Sequence, residues 1–204
     1  MGATTSRQSF EALPDEEQLR AAQYRLLARL LASAAEESDL RLAAGFRGDD
    51  SPLGTALGAL ARVAARFTPA EVEREYFDLF IGIGRGELLP YASYYLTGFL
   101  NERPLARLRQ DMASLGIARA EHVKEPEDHI AAVCEMMAGL IEGSFDAPAD
   151  LETQRQFYER HLAPWAERFF ADLEGARSAV FYAPVGSVGH AFMEIEHTAF
   201  GLSG

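Results

Sequence analysis

The 204-residue chain has one cysteine, Cys134, and one lysine, Lys124. A single thiol rules out an intramolecular disulfide and leaves a thiolate-based zinc finger or iron–sulfur cluster short of ligands. It fits a reducing compartment. The lysine stands outside any G-x-x-x-x-G-K-[ST] sequence, so a P-loop nucleotide site is excluded. Valine, isoleucine and threonine together number 20, against 34 alanines and 24 leucines. That bias favours helix over sheet, and neither sustained two-residue alternation nor an Asn-Gly or Asp-Gly hairpin signal opposes it. No apolar run approaches the ~20 residues of a membrane span, and the longest, 26–35, is interrupted by Arg29. Met1–Ser6 lack a signal-peptide core, and their match to the myristoylation pattern has no basic cluster behind it. These absences lead us to expect a cytoplasmic protein.

Acidic residues are plentiful: 31 Asp and Glu against 19 Lys and Arg, a net charge of −12. Such a chain repels a phosphate backbone and suits a basic partner. Hydrophobic residues make up 48%, enough to build a core.

Helical periodicity runs through most of the chain. A first helix is predicted over Pro14–Glu36, with Asp15, Glu16 and Glu17 favourably placed against its dipole. A short helix over Asp39–Phe46 follows. Ser51-Pro52 and Thr68-Pro69-Ala70-Glu71 are helix-start signals, an N-cap followed by proline and a capping box. Further helices are predicted over 104–115, from Pro126 to Glu142, through Phe157 and Trp165 to Leu173, and over 176–200. Pro184, Gly186 and Gly189 predict a break in the last. The fold class is therefore all-α, a single-domain bundle of roughly eight to ten helices over 1–204. Residues 1–13 are expected to be flexible and 143–150 to be a linker.

Four features carry chemistry. Glu125-Pro126-Glu127-Asp128-His129 sets carboxylates and a histidine at a helix mouth. Helix capping accounts for much of it, but not for the histidine, which lies beside the apolar stripe Ile130, Val133, Cys134, Met137 and Ile141. Asp128 is expected on the wetter face with Glu135. The second feature is the loop from Gly82, with glycines at 82, 84 and 86, followed by Leu89-Pro90-Tyr91 and by Tyr94 and Tyr95. A phosphate cradle would need a strand before it and a helix directly after, whereas the tyrosines suit a peptide groove. The third, His190-x-x-x-Glu194-x-x-His197, shares one helix face. His197 lies about 10 Å further along the axis than His190, which strains a single-ion zinc site, so a polar helix face is the simpler account. Cys134, the fourth, reads as a small buried hydrophobe. No catalytic constellation stands out and no cofactor or metal is expected; the alternative reading is a helical metal-binding or metalloenzyme domain that uses His190, Glu194 and His197.

Taken together, three blocks resemble the TorD/DmsD/NarJ-type maturation chaperones of molybdoenzymes. They are Tyr76-Phe77-Asp78-Leu79-Phe80-Ile81-Gly82 with Leu89 to Leu96; Glu125-Pro126-Glu127-Asp128-His129-Ile130; and Phe157-Tyr158, His161 to Trp165, Phe169, Asp172-Leu173 and Phe181-Tyr182. The resemblance implies an all-α fold, as a monomer or a domain-swapped homodimer. It also implies a non-catalytic chaperone that binds the twin-arginine signal peptide and the apo form of a molybdenum or tungsten oxidoreductase until its cofactor is inserted. The Gly84-Arg85-Gly86-Glu87-Leu88-Leu89-Pro90-Tyr91 spelling resembles members that accompany formate dehydrogenases. Some relatives bind guanine nucleotides, for which this sequence has no motif. Asp128 and His129 fall on the family's signature acid and histidine, and Pro90 and Tyr91 on its proline–aromatic pair. The departure is Leu89 and Tyr91, where many relatives carry a second proline or a tryptophan. The physics agrees with the implication: a twin-arginine signal has a basic head and an apolar run. Glu125, Glu127 and Asp128 are candidates to meet the arginines. Phe80, Leu89, Pro90, Tyr91 and Tyr94 are candidates to meet the apolar run, with His129 beside them.

Overall fold

The computed structural model describes residues 13–120 and 123–201. Ten α-helices follow in order: α1 (Asp15–Ala32), α2 (Glu37–Ala44), α3 (Pro52–Ala64), α4 (Pro69–Tyr76), α5 (Ala92–Thr97), α6 (Arg103–Ser114), α7 (Ile130–Glu142), α8 (Leu151–His161), α9 (Ala166–Glu174) and α10 (Tyr182–Ala199). Between α4 and α5 the helical run widens into one π turn, Phe77–Ile81, closed by the Gly82 N–H on the Phe77 carbonyl at 2.7 Å. Such a turn re-aims side chains within a helix, often at functional sites. No strand occurs among the described residues, only one isolated bridge.

The local signals place several starts. The Ser51 hydroxyl accepts the Gly54 N–H at 3.0 Å ahead of Pro52, and the Thr68/Glu71 capping box closes as its sequence dictates. α1 packs along α7, and α10 packs along α9 and α3. Between them lies one continuous core that holds Tyr24, Leu27, Val133, Met137, Tyr158, Trp165, Phe169, Phe170 and Phe192. Most aromatic residues of the third sequence block are spent here, on packing. A bidentate pair from Arg20 to the fully buried Glu196, at 2.7 and 2.8 Å, ties α1 to α10, with the Tyr24 hydroxyl donating to the same carboxylate.

Five features differ from expectation. The helix predicted through Phe157 and Trp165 to Leu173 is two, α8 and α9, parted at Leu162–Trp165. α1 stops at Ala32, and α2 starts afresh on the Glu36/Asp39 capping box. The helix predicted from Pro126 starts at Ile130. α10 starts at Tyr182 and is continuous to Ala199. Pro184 lies in its first turn, where an absent N–H costs nothing. Gly186 and Gly189 face α9: a Cβ on Gly189 would sit 2.1 Å from the Phe170 ring, and one on Gly186 would sit 2.5 Å from the Glu174 nitrogen. These glycines buy close helix packing, not a break. The 143–150 stretch folds back on α7, with the Ala149 N–H on the Leu140 carbonyl at 2.8 Å. The segment expected to be flexible lies outside the described residues apart from Leu13, as does the Met1–Ser6 pattern.

Candidate functional site

Two extended segments, far apart in sequence, meet in an antiparallel bridge between Tyr91 and His129. The Ile130 N–H donates to the Pro90 carbonyl at 2.8 Å, and the Ala92 N–H to the Asp128 carbonyl at 3.0 Å. This pairing is why α7 cannot start at Pro126: residues 128–130 are committed to α5's approach. His129 becomes the N-cap of α7, its Nδ1 accepting the Ala131 N–H at 3.2 Å. Burial lowers the His129 pKa from 6.5 to about 4, against the opposing pull of Glu125 and Asp128. At neutral pH the ring is uncharged, and with Nδ1 an acceptor, Nε2 carries the proton.

Asp128 is 1% exposed. The wetter face expected for it is not where it lies. Its carboxylate accepts the Ser93 N–H at 2.8 Å, capping the first turn of α5. Glu127 is also buried, held by Arg109 at 2.8 and 3.0 Å. Glu125 is exposed, and the Tyr91 hydroxyl donates to it. Burial, then Glu125, pushes the Tyr91 pKa up, so the hydroxyl stays a donor.

A groove of about 660 Å³ opens beside this bridge. Phe80 and Ile81 of the π turn, Pro90, Tyr91, Glu125 and His129 line it. So do Ala28 and Ala32 of α1 and Ala131 and Ala132 of α7, whose small side chains take up little of the space. Charge enters through Arg25 and Arg29, and both are neutralised: Arg25 by Glu135 and Glu142, Arg29 by Asp39. The groove is thus an apolar trough with one exposed carboxylate, Glu125, that has no ion-pair partner among the described residues.

Of the nine residues singled out in the sequence, the groove gathers Phe80, Pro90, Tyr91, Glu125 and His129. Leu89, Tyr94, Glu127 and Asp128 are not among its lining residues. Tyr94 is engaged by Arg85, which hydrogen-bonds its hydroxyl and stacks 5.0 Å over its ring. Sequence reasoning missed Ile81 and the four alanines. Ile81, 55% exposed at the end of the π turn, carried one signal, that of an apolar residue outside the inward stripe Val72, Tyr76, Leu79 and Phe80. The alanines carried none.

The other features have structural accounts. Gly82 has φ +61° and a Cβ there would lie 2.2 Å from the Arg85 carbonyl oxygen, while a Cβ on Gly86 would meet Phe80 backbone at 2.5 Å. The glycine spacing therefore shapes a tight loop. Glu87 from that loop accepts the Arg177 and Ser178 N–H groups at 2.8 and 3.1 Å. His190 faces Glu167 and Glu174 at 3.7 and 3.8 Å. Among the described residues no three His, Cys, Asp or Glu side chains converge as a metal site, the His190, Glu194 and His197 set included. Cys134 is fully buried.

A family model described as "Nitrate reductase delta subunit" matches residues 46–171. The chain belongs to this family. It is the TorD/NarJ family, in agreement with the resemblance of the three sequence blocks. Among curated relatives, the chaperone protein TorD of Vibrio atlanticus is 31% identical over 134 residues, 62% of each chain. TorD of Vibrio cholerae is 33% identical over 106 residues, 48% of each, and TorD of a Psychrobacter species is 29% identical over 177 residues, 78% of this chain and 80% of that one. The matched stretch thus spans less than two thirds of the Vibrio relatives' length. The fold is shared with a crystal structure from Archaeoglobus fulgidus assigned to redox enzyme maturation: TM-score 0.55 over 93% of this chain and 99% of that one, at 19% identity. Among the described residues no helix is long and apolar enough to cross a membrane.

Proposed function

We propose that the chain is a maturation chaperone for a molybdenum or tungsten oxidoreductase, and that its groove takes the twin-arginine signal peptide of the precursor. It holds the apo-enzyme in the cytoplasm until the cofactor is in place, and so delays export. The client we infer is formate dehydrogenase-like, on the spelling of residues 84–91. The observation that carries the reading is the apolar trough with Glu125 at its rim, which has no ion-pair partner among the described residues. An apolar run buries its area against Phe80, Ile81, Pro90 and Tyr91. A guanidinium meets Glu125 through charge-assisted hydrogen bonds. The net charge of −12 speeds encounter with a basic peptide. Asp128 and Glu127 serve this site indirectly, by fixing the segments that carry Tyr91 and His129.

The test is fluorescence anisotropy of a labelled twin-arginine peptide titrated with the full chain, beside Ile81→Asp and Glu125→Lys. Both residues are exposed, so folding is expected to be unchanged within about 0.5 kcal/mol. Wild-type binding that either variant weakens tenfold or more supports the proposal. Absence of binding, or binding indifferent to both changes, overturns it.

A further inference from the structure

The groove continues past Tyr76. A second lobe of about 670 Å³ shares Ala32, Tyr76, Ile81 and Glu125 with the first. The two lobes differ in charge. The first holds Arg25 and Arg29 with their carboxylate partners. The second has no cation among its lining residues and three carboxylates, Glu36, Glu73 and Glu125. Glu36 is occupied in capping α2, but Glu73 and Glu125 form no ion pair among the described residues. Phe77 and Ile81, four residues apart and 43% and 55% exposed, give this lobe an apolar wall.

The first lobe carries a different feature. His129 lines that lobe, and no hydrogen bond among the described residues engages its Nε2. With Nδ1 held as an acceptor, Nε2–H is a donor available to a ligand in the groove. It suits a carbonyl oxygen and cannot receive a guanidinium or an ammonium.

We propose that the groove fixes the direction of its peptide, an inference that rests on the groove being the signal-peptide site. The basic head lies in the second lobe, one cationic side chain on Glu73 and one on Glu125. The apolar run that follows lies in the first lobe against Pro90 and Tyr91, and one of its main-chain carbonyls accepts the His129 Nε2–H. The reverse direction would set the head beside Arg25 and Arg29, whose carboxylate partners are already committed, and leave Glu73 unanswered. Direction is thus chosen by where the uncommitted carboxylates lie. The assignment makes Glu73 a specificity residue at a position whose sequence reads as a solvated helix face.

The experiment pairs two substitutions with three peptides, measured by anisotropy on the full chain. One peptide has two arginines before an apolar run, the second has glutamines in their place, and the third has glutamates. Glu73→Gln is expected to weaken the arginine peptide roughly two- to fivefold, the range for an exposed charge pair, and to leave the glutamine peptide unchanged. Glu73→Arg is expected to weaken the arginine peptide further and to tighten the glutamate peptide. A benzophenone at the arginine end is expected to cross-link to α2 or α4, and one at the apolar end to α7. Cross-links in the opposite order, or a Glu73→Gln effect that is nil or equal for the arginine and glutamine peptides, overturn the proposed direction while leaving the groove as the binding site. If wild type binds neither the arginine nor the glutamine peptide, the functional reading falls, and the direction with it.

Discussion

Tyr91 and His129 meet edge to face, ring centroids 5.1 Å apart and planes at 77°, across the one backbone bridge of the molecule's described part. Each ring is therefore placed by main-chain hydrogen bonds as well as by packing. His129 is at once a helix cap, a groove wall and a buried titratable group, and the three roles separate experimentally.

The first separation is by pH. Folding lowers the His129 pKa from 6.5 to about 4, chiefly through burial. Between these values the unfolded chain binds more protons than the folded one, so stability rises with pH there. The contribution is complete above about 6.5 and is lost as pH falls toward 4. It amounts to about 3 kcal/mol over the full window. His129→Asn keeps a capping acceptor and removes the titration. Urea midpoints at pH 7.5 and 5 are expected to fall further for wild type than for the variant, and equal falls would contradict the assignment.

Asp128→Ala removes the acceptor of the Ser93 N–H from a fully buried site. The expected cost is about 1–3 kcal/mol in urea unfolding. Peptide affinity is expected to fall as well, because α5 and the Tyr91 backbone lose their anchor. A variant of wild-type stability with abolished binding would instead make Asp128 a direct ligand contact.

Gly189→Ala tests the α9–α10 packing. The added methyl would enter the Phe170 ring, and overpacking of this kind costs about 1–3 kcal/mol. Thermal unfolding of the pair Gly189→Ala and Gly175→Ala is the measure. Gly175 has negative φ and no side-chain neighbour to displace, so only the first is expected to lose stability.

Short-range signals were the most legible in the sequence. Ser51-Pro52 and Thr68 to Glu71 mark real helix starts, because cap and capped N–H lie within four residues. The helix read through Phe157 and Trp165 to Leu173 was legible only in its apolar spacing; the break at Leu162–Trp165 that makes it α8 and α9 is marked in the sequence by Pro164 alone. Pro126 misleads because a proline at a helix start and a proline in a turn look alike. What decides between them is the pairing of Asp128 and Ile130 with Ala92 and Pro90, a contact no local pattern encodes. Half of the groove was hidden for a related reason. Ala28, Ala32, Ala131 and Ala132 matter by being small where two distant helices flank a gap, and small size at one position says nothing about the other.

Glu75 stands on the inner side of the helix that carries the groove's outer wall. Its buried carboxylate accepts the N–H groups of Val180, Phe181 and Tyr182 at 2.8, 3.0 and 2.7 Å, fastening α4 to the start of α10. Glu73, Phe77 and Ile81 look outward from the same run and line the second lobe. Folding and recognition are thus written on opposite sides of one short segment. Substitutions at Glu73, Phe77 or Ile81 are therefore expected to change what this face presents without loosening the α4–α10 joint.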